Sequence, residues 1–308
     1  MKTAFLFAGQ GAQKVGMARD LYDHYPIVKE TFDQASRLLG YDLRQLIDED
    51  EDKLHQTRFT QPAILTTSVA IYRLLLEKGI RPDMVAGLSL GEYSALVASG
   101  ALSFEEALPL VAKRGEFMEI AAPKGSGKMV AVMNTAPEII EAACQKASVK
   151  GIVTPANYNT PGQIVIGGEV AAVNEAVELL KLEGVKRLIP LNVSGPFHTA
   201  LLESASQALA KELEMTSFKP FQIPLVGNTE AEVMSDCDIK TLLARQVKEP
   251  VRFYESIGVL QEMGASQFVE IGPGKVLSGF IKKIDPSAQM AQVEDCESLV
   301  TFLEQEKG

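Results

Sequence analysis

The chain has 308 residues, 46% hydrophobic and 23% charged, a balance that suits one large core, or a large and a small one, and excludes a disordered chain. Its formal net charge of −10 argues against nucleic acid as the main partner, because neutralising phosphates needs a basic face. No uninterrupted apolar run reaches the ~18 residues of a membrane span, and residues 1–9 have too short an apolar stretch for a signal peptide.

Residues 3–7 read as a buried first strand and residues 8–13 as the loop after it. A dinucleotide fingerprint needs glycine at position 14, where Lys14 stands, so that reading fails. The loop can instead present backbone N–H groups to an anion, with Gln10 as the donor. Residues 20–39 and 61–78 read as helices, the second carrying Ile64, Val69, Ile71, Leu74 and Leu75 at core spacing. The acidic run 48–52 between them reads as a solvated loop or a helix start. Arg81-Pro82-Asp83 ends the second helix, residues 84–86 form a short buried strand, and residues 92–99 a helix.

Between that strand and helix stands Gly87-Leu88-Ser89-Leu90-Gly91. Small residues on both sides of Ser89 permit a sharp turn that holds its hydroxyl outward in a strained conformation, at a helix N-terminus that favours developing negative charge. Ser103-Phe104-Glu105-Glu106 reads as a capping box opening a helix to about residue 120, which carries Arg114. A lone arginine on a helix is usually a surface residue.

Pro123-Lys124-Gly125-Ser126-Gly127 signals a linker, and the pattern then changes. Strand 128–133, helix 137–147, strand 151–156, a turn at 157–162, strand 163–167, helix 170–182 and strand 185–190 follow in βαββαβ order, that of a ferredoxin-like unit. Residues 125–192 therefore read as a small ferredoxin-like domain inserted into a large α/β domain of residues 1–124 and 193–308. The large part resumes with residues 192–199 and a helix from about 200 to 213. Strand 223–227, helix 239–246, a helix after Phe253 to residue 263, strand 267–270 and a last helix, 275 to about 284, complete it. Strands alternating with helices predict a mostly parallel sheet, an α/β fold with a hydrolase-like core.

A serine hydroxyl needs a base to become a nucleophile. Of the three histidines, His24 and His55 lie in charged surroundings and read as surface residues, whereas His198 follows a rigid Gly195-Pro196-Phe197 segment that aims it like a site residue. No Asp or Glu between Ser89 and His198 stands out as a third triad member; a backbone carbonyl or an amide side chain is the alternative partner for the imidazole. Cys144, Cys237 and Cys296 are odd in number and far apart, which suggests neither a disulfide framework nor a zinc site and fits a reducing cytoplasm.

These motifs carry a resemblance. Gly9-Gln10-Gly11-Ala12-Gln13, Gly87 to Ser94, Arg114, Ala156 to Gln163, Gly195-Pro196-Phe197-His198, and Gln246 ahead of Pro250-Val251-Arg252-Phe253 occur in the order seen in malonyl-CoA:acyl carrier protein transacylases. The match runs nearly end to end. The chain also resembles the acyltransferase domains of polyketide and animal fatty acid synthases, although its free-standing length favours the discrete bacterial type.

The resemblance implies a Ser89–His198 dyad, a main-chain carbonyl at Gln246 that orients the histidine, and an oxyanion hole made by the N–H groups of Gln10 and Leu90. It implies that Arg114 binds the malonyl carboxylate through a bidentate pair, with Gln246, Asn157 and Phe197 as further substrate-binding residues. Phe197, where methylmalonyl-selecting domains tend to carry serine, favours malonyl. Many members have histidine where this chain has Leu88. Malonyl-CoA is then the substrate and acyl carrier protein, bearing the phosphopantetheine thiol, the partner; no cofactor, metal, nucleic acid or membrane is expected. Lys186-Arg187 and Lys282-Lys283 are candidate patches for the acidic carrier. A serine hydrolase or thioesterase, an acyltransferase for another acyl-CoA such as a trans-acting polyketide-type enzyme, and a non-catalytic binding module are the competing readings.

Overall fold

The computed structural model describes residues 2–193 and 195–306; Ser194 of the predicted histidine loop and the predicted domain ends at 1 and 308 lie outside them. Among the described residues, nine strands form two sheets. Those of the first sheet are β1 (Lys2–Phe7), β2 (Met84–Gly87), β7 (Leu225–Val226), β8 (Ala265–Ile271) and β9 (Gln289–Val293). They lie in the order β7-β2-β1-β8-β9, and every pairing is parallel.

The alternation along central β1 explains why helices cover both faces. Phe5 and Phe7 point into one core, with Ile64, Val69 and Ile71 of the Thr57–Glu77 helix. Ala4 and Leu6 point into another, with Phe253 and Ile257 on one helix and Leu277 and Ile281 on a second. All four β1 residues are fully buried, the state expected of a parallel strand enclosed between helical layers.

The second sheet contains β3 (Lys128–Met133), β4 (Val153–Thr160), β5 (Gln163–Gly168) and β6 (Leu188–Pro190), antiparallel in the order β4-β5-β3-β6. Period-two alternation again divides the faces. Val130, Val132, Ile164 and Ile166 pack under the helices Pro137–Ala147 and Val170–Leu182, while Met129, Ala131, Met133 and Val165 turn toward the large core. A bridge from Asn157 of β4 to Val251 ties this sheet to the large part of the chain.

Several local expectations need correction. The predicted 20–39 helix is two helices, Arg19–His24 and Pro26–Leu39, because Tyr25 precedes a proline and is extended, with φ −122° and ψ 113°. The helix expected at 61 begins at Thr57 and runs through Pro62. Residues 157–160, predicted as turn, continue β4, since they pair antiparallel with β5 around a tight Pro161-Gly162 turn, and Asn157 also bridges to Val251. β6 is shorter than expected. Ser103 forms only half a capping box: its hydroxyl accepts from the Glu106 N–H and donates to the Glu106 carboxylate. The helix Val276–Ile284 is not the last element, because β9 and the helix Cys296–Gln305 follow; that helix has a full capping box between Asp295 and Ser298. The acidic run did include a helix start, with Asp50 accepting from the Lys53 N–H.

The joint between β2 and the Gly91–Ala98 helix is very close to β1. A Cβ on Gly91 would fall 2.1 Å from the Phe7 carbonyl oxygen. Gly91→Ala should therefore destabilise the protein by about 1–3 kcal/mol in urea unfolding, because backbone has to move. Gly258→Ala, in a helix and with open space around the new methyl, should stabilise it by about 0.5–1 kcal/mol. Equal effects would remove this account of the joint.

Candidate active site

The site lies beyond the carboxyl ends of parallel strands, where crossing connections leave a crevice in such sheets. The Gln10 loop follows β1, Ser89 follows β2, and Asn228 follows β7. Ser89 has φ 54°, the left-handed region, which costs an L-residue about 1–3 kcal/mol. One side chain holds it there. The Ser89 N–H donates to Asn228 Oδ1 at 2.6 Å, and Asn228 Nδ2 donates to the Gly87 carbonyl at 2.7 Å. Asn228 is fully buried.

His198 is also left-handed, with φ 60°, and its N–H donates to the Val247 carbonyl. Its Nε2 lies 2.7 Å from Ser89 Oγ, and its Nδ1 lies 2.6 Å from the Gln246 main-chain carbonyl. A carbonyl only accepts, so Nδ1 carries the proton and Nε2 offers its lone pair to the serine hydroxyl. A carbonyl thus occupies the place a triad carboxylate would take. Burial, reinforced by the Arg114 charge, pushes the imidazole pKa down to about 4, although hydrogen bonds to the Gln246 and Glu249 backbone act in the opposite direction.

Arg114, on the helix Phe104–Ala121, is not the surface residue its isolated position suggests; it is 1% exposed. Nη1 donates to Gln61 Oε1 at 2.7 Å, while Nη2 donates to Gln246 Oε1 at 2.9 Å and reaches Ser89 Oγ at 3.3 Å. Its Nε has no hydrogen-bond partner among the described residues, and the guanidinium lies 5.4 Å from the centre of the Tyr93 ring. Burial lowers its pKa, but a guanidinium starts too high to lose its proton at neutral pH. A fixed cation therefore sits beside the nucleophile with neutral oxygens as its hydrogen-bond partners.

Behind it, the carboxamide Nε2 of Gln246 donates to the Ser89 carbonyl and to Glu92 Oε2, both at 3.0 Å. Glu92 is fully buried; its Oε2 also accepts from the Asn228 N–H at 2.9 Å, and its Oε1 has no partner among the described residues. Burial pushes the Glu92 carboxyl up to about 7, opposed by those two hydrogen bonds and by the Arg114 charge.

The Gln10 side chain is tethered, donating to Thr57 Oγ1 at 3.2 Å and accepting from Gln61 Nε2 at 3.3 Å. Among the described residues, the backbone N–H groups of Gln10 and Leu90 meet no protein acceptor. Their two turns are in close contact, for a Cβ on Gly9 would fall 2.5 Å from the Leu88 carbonyl oxygen. Ser89, His198 and Gln10 open into a cavity of about 420 Å³, whose walls include Leu88, Asn157 and Phe197. Every predicted site residue thus lies at this cavity or directly behind it. His24 and His55 are exposed, as expected.

Gln61, Glu92 and Asn228 were missed. Asn228 offered a signal, an amide one residue beyond a glycine at a strand end, whereas Gln61 and Glu92 looked like ordinary helical polar residues.

A family profile described as the acyl transferase domain matches residues 4–307. The chain is 47% identical to the malonyl CoA-acyl carrier protein transacylase of Bacillus subtilis over 301 residues, covering 97% of this chain and 95% of that protein. The chain belongs to the malonyl CoA-acyl carrier protein transacylases, within the acyl transferase domain family. Solved structures agree. A crystal structure of MCAT from Streptococcus pneumoniae has 74% sequence identity and a TM-score of 0.97, covering 99% of this chain and 100% of the other. A malonyl-transacylase solved in complex with a type II polyketide acyl-carrier protein has 44% identity and a TM-score of 0.96, covering 99% and 100%.

In this acyl transferase the His198 ring should stay neutral at pH 6. Its ¹⁵N resonances should move only as the pH approaches about 4. A folded pKa below the unfolded 6.5 means that the unfolded chain binds this proton first. The ring's contribution to stability is then fully present above 6.5 and lost as pH falls from 6.5 toward 4. A titration midpoint near 6.5 in the folded protein would contradict the buried, cation-facing environment.

Proposed function

We propose that this acyl transferase moves the malonyl group of malonyl-CoA onto the phosphopantetheine thiol of acyl carrier protein through a malonyl ester on Ser89, supplying fatty acid chain elongation. The observation that carries this reading is Arg114. A buried guanidinium within reach of the nucleophile suits an acyl group that ends in a carboxylate, and has no general use toward a neutral ester.

The chemistry follows from the hydrogen bonds. His198 Nε2 takes the proton as Ser89 Oγ attacks the thioester carbonyl, and Gln246 O holds the imidazolium that forms. The N–H groups of Gln10 and Leu90 are the donors for the oxyanion. Collapse of the tetrahedral intermediate expels the CoA thiolate, which takes the proton from His198. The carrier thiol then attacks the malonyl ester with His198 as base, and Ser89 leaves with that proton. The residues supply every proton transfer, so the reading calls for no cofactor. Asn157 and Phe197 act as walls of the acyl and pantetheine path.

We read residues 1–124 and 193–308 as an α/β-hydrolase-like catalytic domain and residues 125–192 as an inserted ferredoxin-like domain. The βαββαβ chain order with sheet order β4-β5-β3-β6 supports the second assignment. For the acidic carrier, Lys282 and Lys283 are the better placed of the two basic pairs. Both are exposed, at the end of the helix whose Val276 and Phe280 line the cavity. A cytoplasmic setting fits this function, and no helix among the described residues is long and apolar enough to cross a membrane.

Incubation with malonyl-CoA should add one malonyl group to the intact mass, map to Ser89, and discharge onto holo acyl carrier protein. Discharge to water alone would identify a hydrolase instead. His198→Ala should slow acylation by about 10²–10⁴. Arg114→Ala should lower malonyl acylation by roughly 10²-fold or more while changing acetyl acylation only severalfold; equal losses would remove its carboxylate role.

A further inference from the structure

We infer that Glu92 is a positioning residue for substrate selection: by fixing the Gln246 carboxamide it holds Arg114 where a substrate carboxylate can reach it. This rests on the reading of Arg114 given above. Glu92 touches neither the nucleophile's hydroxyl nor the imidazole, and it lies behind the Gly87–Gly91 turn, fully buried.

The orientation of the Gln246 amide is dictated by its neighbours. Its Nε2 end meets two groups that accept, the Ser89 carbonyl and Glu92 Oε2, and its Oε1 end meets a donor, Arg114 Nη2. A flipped amide would oppose oxygen to oxygen at two contacts and N–H to N–H at the third. Glu92 supplies one of the two acceptors, so without it the preference for this orientation falls to a single carbonyl. The flipped amide would leave Arg114 facing a donor and would push the guanidinium from its place beside Ser89 Oγ. The Glu92 carboxyl is itself fixed, since the Asn228 N–H donates to the same oxygen and the Asn228 side chain clamps Ser89 and Gly87. A chain of contacts thus runs from the elbow clamp, through Glu92 and Gln246, to the cation beside Ser89.

The consequence is a selectivity effect rather than a general loss. His198 is oriented by the Gln246 main-chain carbonyl, not by its side chain, so acyl groups that do not need Arg114 should be nearly indifferent to Glu92. Three variants are compared: Glu92→Met, which removes the acceptor; Glu92→Asp, which keeps the carboxyl but withdraws it from Gln246; and Glu92→Gln, which keeps an acceptor at the same length. Folding is checked by thermal unfolding, and kcat/KM for acylation is measured with malonyl-CoA and acetyl-CoA, alongside Arg114→Ala.

The malonyl-to-acetyl ratio should fall about tenfold or more in the Met and Asp variants, with acetyl acylation held within about threefold, and should stay within about threefold of the parent in the Gln variant. Malonyl and acetyl rates falling together, an unchanged ratio in whichever of the Met and Asp variants folds, or a Gln variant as unselective as those two, would overturn the inference. If both Met and Asp variants fail to fold, Glu92 is a structural residue and the inference also falls. Arg114→Ala separates the two levels: loss of its own malonyl preference for acetyl-like behaviour upholds the Arg114 reading whatever Glu92 does, and equal losses there would overturn that reading itself.

Discussion

The site depends on Gln246, which serves four partners with three groups. Its main-chain carbonyl fixes the His198 tautomer, its side-chain oxygen holds Arg114, and its side-chain nitrogen ties the Ser89 carbonyl to Glu92. Base, cation and elbow therefore share one residue at the end of the helix Ile239–Gln246. The side-chain amide has one favoured orientation, its oxygen matched to a donor and its nitrogen to two acceptors, while the main-chain carbonyl serves the imidazole. Such a preorganised set needs little rearrangement when charge develops at the substrate carbonyl.

The same arrangement sets opposing electrostatic demands. Burial weakens His198 as a base and the Arg114 charge weakens it further, whereas on the proposed reading that same charge attracts the substrate carboxylate. The ring is consequently in the correct, unprotonated form at neutral pH but has a modest appetite for a proton. On that reading, a carboxylate seated on Arg114 would offset the cation and relieve part of that depression, so a malonyl group would strengthen the base that acts on it. A neutral acyl group gives no such relief. On the proposed reading Arg114 would then discriminate twice, once by direct pairing and once through the imidazole.

Much of this was legible in the sequence because the chemistry is concentrated in local motifs. Gly87 to Gly91 announced a strand-to-helix turn around Ser89, and the rigid Gly195-Pro196-Phe197 segment singled out His198 from His24 and His55. The parallel sheet was visible in the alternation of short apolar runs with helical periods, and the small βαββαβ unit in the order of its elements. What stayed hidden depends on contacts distant in sequence. Nothing near Arg114 says that it is buried; that follows from packing against Gln61 and Gln246, 53 and 132 residues away. Glu92 looked like a first-turn helix residue, and only its link to Gln246, 154 residues on, gives it another meaning. Residues 157–160 looked like a turn because their polar composition hides the pairing with β5 and the bridge to Val251, and β9 was missed because its pairing partner, β8, rather than its own sequence, makes it a strand.

The most direct test of the account is a crystal structure of the malonyl ester on Ser89. The terminal carboxylate should lie on Arg114 with the Gln246 carboxamide unmoved, and the ester carbonyl oxygen should lie about 2.7–3.1 Å from the N–H groups of Gln10 and Leu90. A carboxylate turned into the open cavity, with Arg114 still bonded only to Gln61 and Gln246, would contradict the claim that one shared network orients the base and selects the substrate.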